Sequence, residues 1–278
     1  MSDAAYKDFT NRLRLLIKKR PSLIVTTLSN IFTMRLIGNK THGDLAEIAI
    51  AEFINQYMYE FQSVHVGKDL FRAKSKEEDI TIHNDITKVN FPVSLKAYGD
   101  GPLQLSTDKN FQIYPLLSGY GEKIENPKII DEVFQSPALA QFDEMNVLPL
   151  IYDEKNHRCN ILVFDGIKAK SSTALIQKES AGSGRKHPVY KFYDASNNYI
   201  CEVRYGNATA NALQRGLWTH TKNALSFFDS ITDGWIDYAH NHTLVQLFSH
   251  ALVASETGHT DALRIIATDI EKLKNGKE

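Results

Sequence analysis

The chain has 278 residues, of which 42% are hydrophobic, 10% aromatic and 23% charged, a profile that excludes disordered, collagen-like and coiled-coil classes. No run approaches the ~18 apolar residues of a membrane span, and Cys159 and Cys201 stand in no metal-ligand spacing, which argues against a disulfide framework or a zinc ribbon. The formal net charge of −1 argues against a uniformly basic surface, yet the charge is segregated: residues 1–40 and 168–222 carry +6 each, whereas 41–96, 97–167 and 223–278 carry −3, −6 and −4.

Asp3, Asp8 and Arg12 stand where a signal peptide needs an apolar run, so a cytoplasmic protein with no membrane partner is expected. The apolar recurrence Phe9, Leu13, Leu16, Ile17 predicts a first helix over 4–19, stopped by Pro21, and a second follows from Ser22 to about Leu36. Thr41-His42-Gly43-Asp44 offers cap chemistry to a third helix running to Tyr57, mostly apolar but interrupted by Glu47 and Glu52. From Asp79 the pattern alternates: Asp79-Ile80-Thr81-Ile82, a polar turn at His83-Asn84-Asp85, then Val89 to Tyr98, which predicts a β-hairpin. The segment from Ala97 to Lys109 reads as a glycine-containing loop able to approach a phosphate or a groove. Strands are expected at 147–152, 160–165, 189–193 and 199–205, a flexible loop at 180–186, and closing helices at about 222–254, with a break near Thr232-Asp233-Gly234, and 260–274. Helices, then strands, then helices predict an α/β (α+β) class with a mixed central β-sheet flanked by helices, in one domain over 1–278.

One constellation carries chemistry. Because strand side chains alternate, pairing Ile80 and Ile82 with Val93, Leu95 and Ala97 toward the core places Asp79, Ser94 and Lys96 together on the opposite face. A carboxylate there collects a hard cation such as Mg²⁺, and an ammonium orients a water or meets phosphate charge. P-loop, dinucleotide and serine-hydrolase signatures are absent from the sequence.

This arrangement resembles the PD-(D/E)XK nuclease superfamily, in particular the type II restriction endonucleases. Their pattern is an Asp at the end of one strand, an acid-x-Lys on the next, and often a Glu from an upstream helix. Asp79 matches the first acid, Lys96 the lysine, and Gly43-x-x-x-Glu47 the helical glutamate, which is why Glu47 is chosen over Glu52. The match departs from the family at Ser94, where an Asp or Glu is usual, so one metal ligand is missing or comes from elsewhere, with Glu47 the candidate. The resemblance implies a restriction-endonuclease-like fold with a catalytic core over about 41–165, and Mg²⁺-dependent hydrolysis of double-stranded DNA. It assigns Asp79, Glu47, Lys96 and, weakly, Ser94 to catalysis, with Asp79 and Glu47 on the metal. It further implies a homodimer, since cutting both strands of a palindrome needs two sites, and a cognate DNA methyltransferase in the same system. A repair or structure-specific nuclease of the same superfamily, or a non-catalytic DNA-binding protein, are the alternatives.

Recognition of DNA is expected in the basic region of about 168–222. Asn207, Asn211, Gln214 and Arg215, with Gln104, carry the paired donors and acceptors that read adenine and guanine edges, Thr219 offers a methyl to thymine, His220 and Lys222 complete the DNA-binding set, and Arg185 and Lys186 supply phosphate contacts.

Overall fold

The computed structural model describes residues 2–37, 42–66, 79–99, 101–139, 142, 145–180, 187–211, 214–220, 225–252, 264–272 and 275. Tyr6, Phe9, Leu13 and Ile17 make one buried stripe along α1 (Ser2–Lys19). Pro21, with no N–H to offer α1, takes the first position of α2 (Pro21–Ile37), where the missing donor costs nothing. In α3 (His42–Tyr57) the stripe is Ala46, Ile50, Phe53 and Ile54.

The chain continues through β1 (Phe61–His65), β2 (Ile80–Asn84), β3 (Asn90–Tyr98), β4 (Pro102–Thr107), α4 (Ile113–Tyr120), β5 (Lys123–Ile124), α5 (Pro127–Gln135), β6 (Val147–Asp153) and β7 (Arg158–Phe164). It closes with α6 (Gly166–Ser172), β8 (Thr173–Glu179), β9 (Val189–Asp194), β10 (Tyr199–Arg204), β11 (Gly216–His220), β12 (Phe228–Ser230), β13 (Ile236–Asp237) and α7 (His242–Leu252). One sheet has the order β1-β2-β3-β6-β7-β12, with β13 also on β7, and the other has the order β4-β11-β10-β9-β8-β5. The first sheet is mixed, because β3 and β6 run parallel while its other pairs are antiparallel. Among the described residues no helix is long and apolar enough to cross a membrane.

The mixed sheet separates two cores. Phe61, Ile80, Ile82, Phe91, Val93, Leu95, Leu148 and Leu150 point toward α1, α2 and α3. Val147, Ile151, Leu162 and Phe164 point the other way, into a core shared with α4, α5 and the second sheet's Leu103, Leu105, Ile176, Tyr190, Phe192, Val203 and Leu217. Each such buried side chain stabilises the fold by about 1.5–3 kcal/mol before the cost of ordering it. Between β3 and β4 the chain leaves one sheet for the other, at Gly101 with φ of 148°.

Several expectations are corrected. The segment 97–109 is not a loop over a ligand: it ends β3 and forms β4, an edge strand opened by Pro102 whose Leu103 and Leu105 are buried. The stretch expected to be a recognition loop ends in β11, again with alternate burial at Leu217 and Thr219. In the helix expected over 222–254 the break near 232–234 is present, as a turn with Asp233 and Gly234 both at positive φ, but before it stands β12, paired with Leu162–Phe164, and after it the α-helix among the described residues is His242–Leu252. Ladder hydrogen bonds to β7, extended by Ile231 N–H to Ile161 O at 2.8 Å, satisfy backbone groups that the helix would otherwise have used. Of the loop expected at 180–186, residues 181–186 lie outside the described residues, as does much of the last expected helix beyond 264–272.

Candidate active site on the β2–β3 hairpin

Asp79 stands one residue before β2, and its carbonyl accepts the N–H of Val66 at 3.0 Å, which fixes its backbone against the end of β1. Ile80 pairs with Val93, so Asp79 lies across from Ser94. The Asp79 Oδ2 accepts the Ser94 hydroxyl at 2.9 Å and the backbone N–H of Leu95 at 2.7 Å. Lys96 Nζ lies 3.9 Å from the same oxygen, and the two side chains remain 27% and 21% exposed. The expected trio therefore assembles as the alternation requires. On β6 the partners of Ser94 and Lys96 are Val147 and Pro149, which places the trio on the sheet face directed to the second core.

Glu47 takes a different position. It lies half-buried on α3 beside the Ala46, Ile50 and Ile54 stripe, with its Oε2 3.1 Å from Nε2 of His65, the last residue of β1. His65 pairs with Ile80 and shares its helix-covered face. The register thus sets the Glu47–His65 pair and the Asp79–Ser94–Lys96 group on opposite faces of the strands, and the expectation that Glu47 fills the vacancy left by Ser94 is not matched by the geometry. Glu52 is exposed on the same helix. His65, the partner of Glu47, was not anticipated from the sequence; it follows Phe61 and Ser63 on the inward-facing positions of β1.

Mg²⁺ is commonly held by one or two carboxylates together with water and substrate phosphates. Among the described residues no three His, Cys, Asp or Glu side chains converge to hold a metal. Among the described residues Asp79 is the hard oxygen donor beside Lys96, a ligand type that suits such a cation.

The residues expected to read DNA divide by burial. Arg215 is buried; its two terminal nitrogens donate to the carbonyls of Ala208 and Lys109, each at 3.3 Å, and its guanidinium lies 5.5 Å from the Phe111 ring. Thr219 is fully buried and donates to the Ile200 carbonyl at 2.7 Å. Both hold the second sheet together, and neither is free to meet a base, which corrects the expectation for them. Gln104 donates its amide to the Arg215 carbonyl at 3.1 Å, and the Asn207 side chain closes a turn by accepting the N–H and hydroxyl of Thr209. Asn211 and Gln214 are exposed beside this framework, and His220 is half-buried at the end of β11. Arg185, Lys186 and Lys222 lie outside the described residues.

A second acid and acid-x-base pattern, Asp194 with Glu202 and Arg204, does not form a site. Asp194 caps the β9–β10 turn by accepting from Ser196 and Asn198. Glu202 and Arg204 are buried as a pair, with the guanidinium 4.4 Å from the Trp218 ring. No protein-family model, curated protein or solved structure matches the chain.

Proposed function

We propose that the chain is a Mg²⁺-dependent endonuclease acting on double-stranded DNA, of the restriction type, with the mixed sheet as a restriction-endonuclease-like core. The observation that carries the reading is the Lys96 ammonium 3.9 Å from the Asp79 carboxylate, both part-exposed, Asp79 just before β2 and Lys96 on the neighbouring β3. Charged side chains are seldom placed on such strands without use, because they forgo burial that an apolar residue would gain there.

Asp79 is the residue that would hold the cation, with a DNA phosphate completing the set. Bound, the cation supplies Lewis-acid stabilisation of the phosphate charge and lowers the pKa of a coordinated water. Lys96 donates hydrogen bonds to that phosphate and orients the attacking water. Ser94 and the Leu95 N–H hold the Asp79 carboxylate in one orientation by engaging Oδ2. Cutting both strands calls for two copies of the chain, one per strand. Exposed Asn211 and Gln214 are the side chains proposed to meet base edges.

A second reading, a non-catalytic DNA-binding protein, draws on Ser94 and on the hydrogen bond from Leu95 N–H, which gives Asp79 a structural task of its own. Incubating the protein with supercoiled plasmid in Mg²⁺ and in EDTA separates the two. Discrete Mg²⁺-dependent fragments support the nuclease; a gel shift with intact plasmid in both supports the binder.

A further inference from the structure

We propose that the cleft between α1 and α6 binds a small phosphomonoester that carries a ring, a site separate from the β2–β3 hairpin and independent of its reading. The cleft has a volume of about 290 Å³, at the lower end for pockets that take small molecules. One wall is a polar stripe of α1: Lys7, Thr10, Asn11 and Arg14, at the i, i+3, i+4, i+7 spacing that puts residues on one helix face. That stripe flanks the buried Tyr6, Phe9, Leu13 row, so α1 packs on the sheet with one face and lines the cleft with the next. The facing wall is α6, with Lys168 and Ser171, and the floor is apolar, made by Phe142, Met145, Val163 and Phe164.

The polar groups in this cleft are incompletely matched. Among the described residues that line it, three cations, Lys7, Arg14 and Lys168, stand with two carboxylates, Asp165 and Asp229. Asp165 is engaged as the N-cap of α6, where its Oδ1 accepts the Lys168 N–H at 2.8 Å. Asp229 reaches only Arg14, at 3.9 Å. Among the described residues neither the Lys7 nor the Lys168 ammonium has a carboxylate partner, and the Arg14 Nε is buried with no hydrogen-bond partner. A buried guanidinium N–H calls for an acceptor. An anion with several oxygens offers acceptors to the Arg14 Nε and to the lysines that line the same cleft, and phosphate suits the fixed fork of an arginine. The apolar floor takes the flat face of a ring attached to that phosphate.

Titration calorimetry on the full chain tests this with AMP and phenyl phosphate, and with adenosine and inorganic phosphate as the two halves of the chemistry. AMP or phenyl phosphate is expected to bind saturably, with adenosine and inorganic phosphate each weaker by about tenfold or more. Lys168 is exposed, so Lys168→Gln should fold as wild type and weaken the phosphomonoester by about fivefold or more, and Arg14→Gln by about tenfold or more. Absence of saturable binding by both phosphomonoesters at millimolar concentration overturns the proposal. So does an affinity that Lys168→Gln leaves unchanged, or inorganic phosphate binding as tightly as AMP.

Discussion

The carboxylate of Asp79 accepts the backbone N–H of Leu95 at 2.7 Å, so one oxygen of the proposed metal ligand also completes the hydrogen bonding of β3. The two tasks separate by substitution. Asp79→Asn keeps an acceptor for Leu95 and should melt close to wild type, whereas Asp79→Ala orphans that N–H and should cost roughly 1–3 kcal/mol. Both variants should lose Mg²⁺-dependent cleavage. Thermal melts beside a plasmid digest give the comparison, and cleavage at wild-type rate by Asp79→Asn would remove the carboxylate from the chemistry.

Lys96 is part-exposed and its contact with Asp79 is long, so its structural contribution is small. Lys96→Ala should change stability by less than about 1 kcal/mol while abolishing cleavage. A large fall in melting temperature with residual cutting would make Lys96 a packing residue.

Glu47 faces His65 across the helix-covered side of the sheet. Glu47→Gln should therefore retain cleavage within a few-fold of wild type, and the same substitution should leave the Mg²⁺ dependence unmoved. Complete loss of cutting by a variant that still folds would bring Glu47 back as a ligand.

Arg215 and Thr219 belong to the framework, and Gln214 to the surface. Arg215→Ala strands the carbonyls of Ala208 and Lys109 and should destabilise the protein by roughly 2–4 kcal/mol, weakening all DNA alike. Gln214→Ala should leave the melt unchanged and, if it meets a base, reduce cognate binding by roughly 1–3 kcal/mol. Competition binding with cognate and random duplexes, run beside thermal melts, distinguishes them.

Much of this was legible in the sequence. The three N-terminal helices followed from apolar spacing and Pro21, and the meeting of Asp79, Ser94 and Lys96 followed from strand alternation alone. The strands at 102–107 and 216–220 were not read, because Pro102 and Gly216 at their starts carry loop chemistry. Gly216 in fact serves close packing: at φ of 123°, a Cβ there would lie 2.1 Å from the Ser106 carbonyl oxygen. The inward turn of Arg215 depends on carbonyls from residues 109 and 208, contacts that local pattern does not encode. Asn126 followed by Pro127, a capping residue before a first-turn proline, did mark the start of α5 and was passed over.

His240 has a pKa below the ordinary imidazole value, first because it is part-buried and then because His157, whose ring centroid is 5.0 Å away, and His242 add positive charge. The fold thus favours the neutral ring, and the unfolded chain binds the proton more readily. Stability tied to His240 is present above the ordinary imidazole value and is lost as pH falls through it toward the lower folded pKa. His240→Gln should shrink the loss of stability between about pH 7.5 and about pH 5.5, measured by denaturant unfolding. An unchanged pH slope would contradict it.

The central claim, that Asp79 and Lys96 form a hydrolytic pair, is tested most directly by a single-turnover digest of plasmid DNA by wild type, Asp79→Asn and Lys96→Ala in Mg²⁺, with DNA binding measured on the same samples. The account predicts cutting by wild type alone, with binding retained by all three. Intact plasmid with wild type, or equal cutting by all three proteins, would contradict it.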